Sequence, residues 1–304
     1  MAKLTPQPDD HIVPLLMNGL QGRMLHLPAA KASKRELLII YGWQTSLEQW
    51  WPLAVELQRY GNVTMPDLPG FGGMQSFYRI HERPSLDNMA DYLAAFVKLR
   101  YRSKRLTIFG IAYGFTVVTR MLQRYPDLAK KVDVVISLGG LARYDDLSLS
   151  APKRWFYRIG ARVLATRLLA FWVRQVSLHP LSLSWWYARQ QPRPDTNERI
   201  WLWRHNDIRT RLIAASSLMN LDNCRVALNL PLWHVAFRAN HNLDHQRLNQ
   251  HLHVIYSSVD EARSRLKTQS IGTIEYNQQA NQLLPPKLRR ALAQLTLNQR
   301  KNVR

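Results

Sequence analysis

Short apolar runs alternate with longer stretches of helical period through the first half of the chain. Glu36 to Tyr41 is almost continuously apolar and reads as a strand buried on both faces. Ser46 to Arg59 has helical period, with Ser46 as N-cap and Gly61 just past the end. Asn62 to Met65 is a second strand and runs into the turn-rich Pro66-Asp67-Leu68-Pro69-Gly70-Phe71-Gly72-Gly73. Leu86 to Leu99 predicts a helix, Arg105 to Gly110 a strand, Phe115 to Tyr125 a helix, and Val132 to Leu138 another strand. Strand and helix in alternation, with nearly continuous apolar strands, predict an α/β protein whose mostly parallel sheet is covered by helices on both faces.

The pattern changes after residue 150. Residues 151–230 contain almost no strand-like run, yet they hold six of the ten tryptophans. They also carry 13 Lys and Arg against 4 Asp and Glu. This composition predicts a helical cap inserted into the α/β core, giving a first core part at 1–150, the cap at 151–230, and last strands with a C-terminal helix at 231–304. Strand character resumes at Leu232 to Phe237 and again near Ala262 to Thr268, and Pro285-Pro286 opens a final helix. Within the cap, Arg154, Arg158 and Arg162 share one side of a helical wheel, opposite Phe156, Ile159 and Val163. Arg167 and Arg174 fall on the apolar side of that same wheel, so two helices broken near Ala165-Thr166 fit better than one long one.

The chain has 304 residues, with 42 Lys and Arg against 21 Asp and Glu, a net charge of +21. Such a field favours anionic partners, although charge alone speaks to association and not to fold. An anionic membrane surface is one candidate partner. Nucleic acid is not expected, because no known nucleic-acid-binding module is visible. The opening residues lack the apolar core of a signal peptide, and no apolar run approaches membrane-spanning length. The single cysteine, Cys224, excludes an internal disulfide framework. A cytoplasmic protein, free or peripheral at a membrane, is the expectation. The histidines form no recognisable metal motif, so neither metal nor cofactor is expected.

The chemistry concentrates at Phe109-Gly110-Ile111-Ala112-Tyr113-Gly114-Phe115. A strand leading through G-x-x-x-G into a helix is the layout of a nucleophile elbow, whose central residue is normally a nucleophile. Here that residue is Ala112, and a methyl group attacks nothing. With this run, LLIIYGWQTSLEQW, MPDLPGFGGM and QRYPDLAKKVDVVISLGG occur in an order that resembles the α/β-hydrolase superfamily over nearly the full chain. The resemblance implies a sheet-and-helix core with a cap and an ancestry in ester or related hydrolysis, without implying present activity. It also implies a Ser, an acid and a His in that chain order, because imidazole activates the hydroxyl and the acid fixes the imidazole tautomer. The matching positions hold Ala112, Asn240 and Gln269, and the last 51 residues contain no histidine. Tyr41 stands where the family's oxyanion loop has His. Backbone donors survive side-chain loss, so Trp43, Gln44 and Tyr113 are candidate ligand-binding positions.

Three readings follow. One is a pseudoenzyme that binds a small hydrophobic or acyl-like ligand, or a protein partner, between core and cap. Another is an active hydrolase with a non-standard constellation, for example His241 with a bound water. The third is a basic adaptor at a membrane or nucleic acid. Asp67 reads as a loop-fixing acceptor, Asp145 and Asp146 as solvated loop residues, and Cys224 as packing. The cap's aromatic and basic content reads as arginine stems lying over tryptophan rings.

Overall fold

A computed structural model of the chain describes residues 8–31, 33–43, 45–102, 105–179, 181–182, 196–238, 243–267 and 284–301. Gln44, Asn240, His241 and Gln269 lie outside the described residues.

Eight strands form one sheet in the order β1-β2-β4-β3-β5-β6-β7-β8. The first two, β1 (Ile12–Met17) and β2 (Leu20–Leu27), make an antiparallel hairpin. Its turn is Asn18-Gly19, both at positive φ, which suits the twist of a two-residue hairpin. β2 also runs antiparallel to β4 (Asn62–Pro66). From β4 onward all neighbours are parallel: β3 (Glu36–Ile40), β5 (Leu106–Ile111), β6 (Val132–Leu138), β7 (Leu228–Arg238) and β8 (Tyr256–Lys267).

Every residue of β3 and β5 is buried, as a strand with helices on both faces requires. Alternate residues feed two cores. Leu38, Ile40 and Ile108 join α2 (Leu86–Arg100), α3 (Tyr113–Arg124) and α9 (His245–Ile255) on one face. Leu37, Ile39 and Phe109 join α1 (Leu47–Leu57) and α10 (Pro286–Lys301) on the other. A short helix, α4 (Pro126–Ala129), precedes β6.

Among the described residues, helices α5 (Ala151–Leu164), α6 (Arg167–Leu178), α7 (Thr196–His205) and α8 (Ile208–Leu218) lie between β6 and β7. The break between α5 and α6 falls at Ala165 and Thr166, where the helical wheel places it. The insertion is tied to the loop after β4. Gly72 N donates to Asn206 Oδ1 at 2.7 Å, Asp207 N to Gly70 O at 2.8 Å, and Ser76 Oγ to Asp207 Oδ2 at 2.9 Å.

Two strands begin earlier than the apolar pattern indicates. β7 starts at Leu228 and carries Pro231 beside a register shift, and proline is tolerated at such an irregularity. β8 starts at Tyr256 and is the edge strand of the sheet. Its Ser257, Ser258, Asp260 and Glu261 therefore give no apolar run.

Candidate active site

The sharp turn between β5 and α3 is built by close backbone approach. A Cβ on Gly110 would lie 2.5 Å from Phe115 Cα. On Gly114 it would strike the carbonyl oxygens of Ile40 and Tyr41, and on Gly42 it would lie 2.8 Å from Ile111 O and 3.0 Å from Tyr113 N. These three glycines bring the end of β3, the turn and the helix start into contact. Between them Ala112 sits at φ 48 and ψ −116, outside the regions open to most L-residues. Its N–H donates to Leu138 O of β6 at 3.0 Å. The strained elbow is therefore present, with a methyl group where the side chain projects.

Tyr113 opens α3, so its amide belongs to the first turn, whose N–H groups have no intrahelical acceptor. No side chain caps this end. The Tyr113 ring is buried against Phe71, with centroids 6.2 Å apart. Its hydroxyl is enclosed without a hydrogen-bond partner, and burial pushes its pKa up. Trp43 is partly buried and follows Gly42, the residue whose backbone abuts Ala112 and Tyr113. The cavities of about 530 Å³ lie elsewhere, one between α6 and α8 and one near Pro231.

Behind β3 lies a buried polar network. The Tyr41 hydroxyl donates to Asp67 Oδ1, and Arg23 Nε donates to Asp67 Oδ2 at 2.9 Å and to Gly72 O at 2.7 Å. Arg23 also donates to both carboxylate oxygens of Glu48 and lies over the Trp201 ring, 4.9 Å from its centroid. Burial pushes the Asp67 carboxyl up to about 8, opposed by Arg23 and by the Tyr41 hydrogen bond. Asp67 is thus the loop-fixing acceptor that its motif suggests. Tyr41, in the place of a His, spends its polar atom on that loop.

Two further pairs join residues far apart in sequence. Asp146 is fully buried, which corrects the expectation of a solvated loop residue. Its Oδ2 accepts from the amides of Ala142 and Arg143 at 2.7 and 2.8 Å. Its Oδ1 lies 2.6 Å from His251 Nδ1 on α9. Asp145, Asp146 and His251 could each offer one ligand atom to a cation, all within 4.8 Å of one another. Arg143, 3.6 Å from Asp145, already supplies positive charge there.

The second pair is cross-strand: His234 on β7 is in register with Ser137 on β6, with Nδ1 3.1 Å from Oγ. Both are buried, and desolvation pushes the His234 imidazole down to about 4. A serine beside an imidazole suggests nucleophilic chemistry. However, this serine lies inside the sheet and accepts from Gly140 N, so the pair reads as core packing. Cys224 is half-buried among apolar residues, where burial pushes its thiol up to about 11, away from thiolate reactivity.

The sequence profile described as alpha/beta hydrolase fold matches residues 36–208, more than half of the chain. None of the curated proteins matches it. Solved structures match over most of its length. An esterase from Thermogutta terrifontis has 14% identity and a TM-score of 0.60, covering 95% of this chain and 98% of the other. An enol-lactonase from Burkholderia xenovorans has 12% identity and a TM-score of 0.60, covering 85% and 93%. A hydrolase from Oleispira antarctica has 10% identity and a TM-score of 0.62, covering 89% and 94%. At these identities the likeness is one of fold. The sheet order, the strained turn between β5 and α3 and the family match together place this chain in the α/β-hydrolase fold family.

Proposed function

We propose that the protein is a catalytically silent α/β-hydrolase-fold protein, a pseudoenzyme whose 151–230 insertion serves as a cap. The observation that carries this reading is Ala112 in the strained elbow. In a serine hydrolase that position supplies the hydroxyl, and the adjacent imidazole takes its proton. A methyl group supplies neither bond nor proton. The residues at the other two triad positions, Asn240 and Gln269, have side-chain amides that neither accept a proton nor carry charge near neutral pH. What persists is the backbone part: the Tyr113 amide and the turn at Trp43. With the Phe71 and Tyr113 rings packed together beside the elbow, such a site would suit a small hydrophobic or acyl-like ligand whose carbonyl faces those amides.

The test is direct. Purified protein should show no fluorophosphonate labelling and no burst with p-nitrophenyl esters, and Ala112→Ser alone should change neither result. Hydrolysis above the roughly 10³–10⁴-fold that an oxyanion hole and binding supply without a triad would refute the reading.

A second reading, an active hydrolase with a non-standard constellation, draws on the Asp146–His251 pair, which joins an acid to an imidazole at 2.6 Å. If it is correct, the wild type turns over ester substrates and His251→Ala abolishes turnover.

A further inference from the structure

Helices α5 and α6 are turned the unusual way round. On α5 the residues that face the protein are Arg154, Arg158 and Ala161, followed by the buried C-cap Ala165, while Trp155, Phe156, Ile159 and Val163 face outward. Arg158 Nη1 donates to Asn220 Oδ1 at 3.2 Å, and the Arg154 guanidinium lies 4.6 Å from the centroid of Tyr144. α6 continues the pattern, burying Ala170 and exposing Leu168, Phe171 and Trp172. Trp155 is 64% exposed, Phe156 68%, Phe171 54% and Trp172 58%. α5 has no buried residue. Isolated exposed apolar residues need no explanation, but a succession on two consecutive helices marks an interaction surface.

The charge around this face identifies the partner. Between Asp146 and Asp195, residues 147–194 contain no acidic residue and eight Lys and Arg. Lys153, Arg162 and Arg167 are exposed beside the aromatic residues. Leu168 and Phe171 also line a groove of about 530 Å³ between α6 and α8, together with Arg167, Arg174, Arg209 and Ile208. Asp207 lines it as well, but its carboxylate accepts from Ser76 and from Thr210. A second copy of the chain, also carrying +21, would have to approach against like charge. Aromatic residues flanked by cations, with Asp207 the one carboxylate among the described groove residues and already hydrogen-bonded, match the headgroup region of an anionic bilayer. No described helix is long and apolar enough to cross a membrane.

We propose that the outward face of α5 and α6 docks on anionic phospholipid membranes, with Trp155, Phe156, Phe171 and Trp172 in the interface and the arginine-lined groove beside them receiving lipid phosphate. The proposal goes beyond the silent-elbow reading and does not depend on it.

The test uses the full chain and sedimentation with vesicles of phosphatidylcholine, with or without phosphatidylserine, at about 0.15 M salt. The expected result is binding that requires phosphatidylserine. It should fall tenfold or more in the Trp155→Ala/Phe156→Ala/Trp172→Ala variant, and about fivefold per cation in Lys153→Gln, Arg162→Gln and Arg167→Gln. A fluorophore on Trp172→Cys in a Cys224→Ser background should shift to the blue with the same vesicles, which covers the case where the triple variant fails to fold.

Four results would overturn the proposal. The first is no binding by the folded wild type. The second is equal binding to neutral and anionic vesicles. The third is a dimer in sedimentation velocity that the triple variant dissociates. The fourth is full competition by soluble glycerophosphoserine or inorganic phosphate, which would make the groove a small-anion site.

Discussion

Replacing Ala112 by Gly should stabilise the protein, against the usual direction of such a change. The residue sits at φ 48 and ψ −116, a conformation that glycine adopts freely and an L-residue does not. Backbone strain of this kind costs about 1–3 kcal/mol. Two terms oppose the gain. Glycine adds about 0.4–1 kcal/mol of freedom to the unfolded chain, and a half-buried methyl contributes about 0.4 kcal/mol, half the value of a fully buried group. The midpoints leave a net stabilisation of about 1 kcal/mol, or about 2 °C in melting temperature for a chain of this size. In urea the midpoint should rise with an unchanged slope. Ala112→Val is the control: its β-branch should meet the surrounding turn and reduce stability, because Gly42, Gly110 and Gly114 fix the backbone on three sides. A Gly variant clearly less stable than the wild type, or a Val variant equal to it, would refute the claim that strain is stored here.

The same geometry makes Gly114→Ala severe. The added Cβ would meet the backbone oxygens of Ile40 and Tyr41, which cannot rotate away, so a loss of about 3 kcal/mol or more is expected in urea unfolding. Asp67 has a folded pKa raised from 3.8 to about 8, so its contribution to stability is full below 3.8 and lost as pH rises through about 8. Asp67→Asn should flatten that slope, and a wild type that gains stability at this site over the same window would show Asp67 ionised in the fold. His234 works in the opposite direction. With a folded pKa lowered from 6.5 to about 4, its contribution is present above 6.5 and lost as pH falls towards 4, a loss that His234→Phe should remove.

The sequence was most informative where burial leaves a strand no polar choice. β3, β5 and β6 announce themselves because helices cover both faces, and the elbow glycines because backbone must approach backbone. The β1–β2 hairpin is hard to read although Asn18-Gly19 is a strong turn signal, because the flanking residues do not alternate cleanly and Pro14 interrupts them. β8 and the helix before it were obscured by the polarity of an edge. The polar pairs were beyond reach for another reason. Arg23 and Asp67 are 44 residues apart and Asp146 and His251 are 105 apart, and only the tertiary fold brings them together. The helical wheel over 151–165 sets Arg154 and Arg158 apart from Phe156, Ile159 and Val163, as the structure does, but Arg162 is exposed with the aromatic side, and a wheel cannot say which side meets the protein. The expected stacking of arginine on tryptophan holds for Arg211 over Trp203 at 4.0 Å, while Trp155 and Trp172 point outward.

The loop after β4 explains why the elbow region and the helical insertion belong to one structure. Asp67 at its start holds Tyr41, the residue that ends the apolar run of β3 and precedes Gly42 against the elbow. Gly70 and Gly72, further along, take positive φ, which frees the Gly72 amide and the Gly70 carbonyl for Asn206 and Asp207. A Cβ at Gly70 would lie 2.6 Å from the Thr210 hydroxyl oxygen, so α8 is seated directly on this backbone. Arg23 closes the circuit, bonding Asp67 and the Gly72 carbonyl on one side and meeting Trp201 of α7 on the other. Buried polar groups are costly unless each is paired, and pairing here requires both the core and the insertion to be in place. The loop is therefore held by demands of folding that are independent of any nucleophile, and the geometry around Ala112 can stand without the chemistry it resembles.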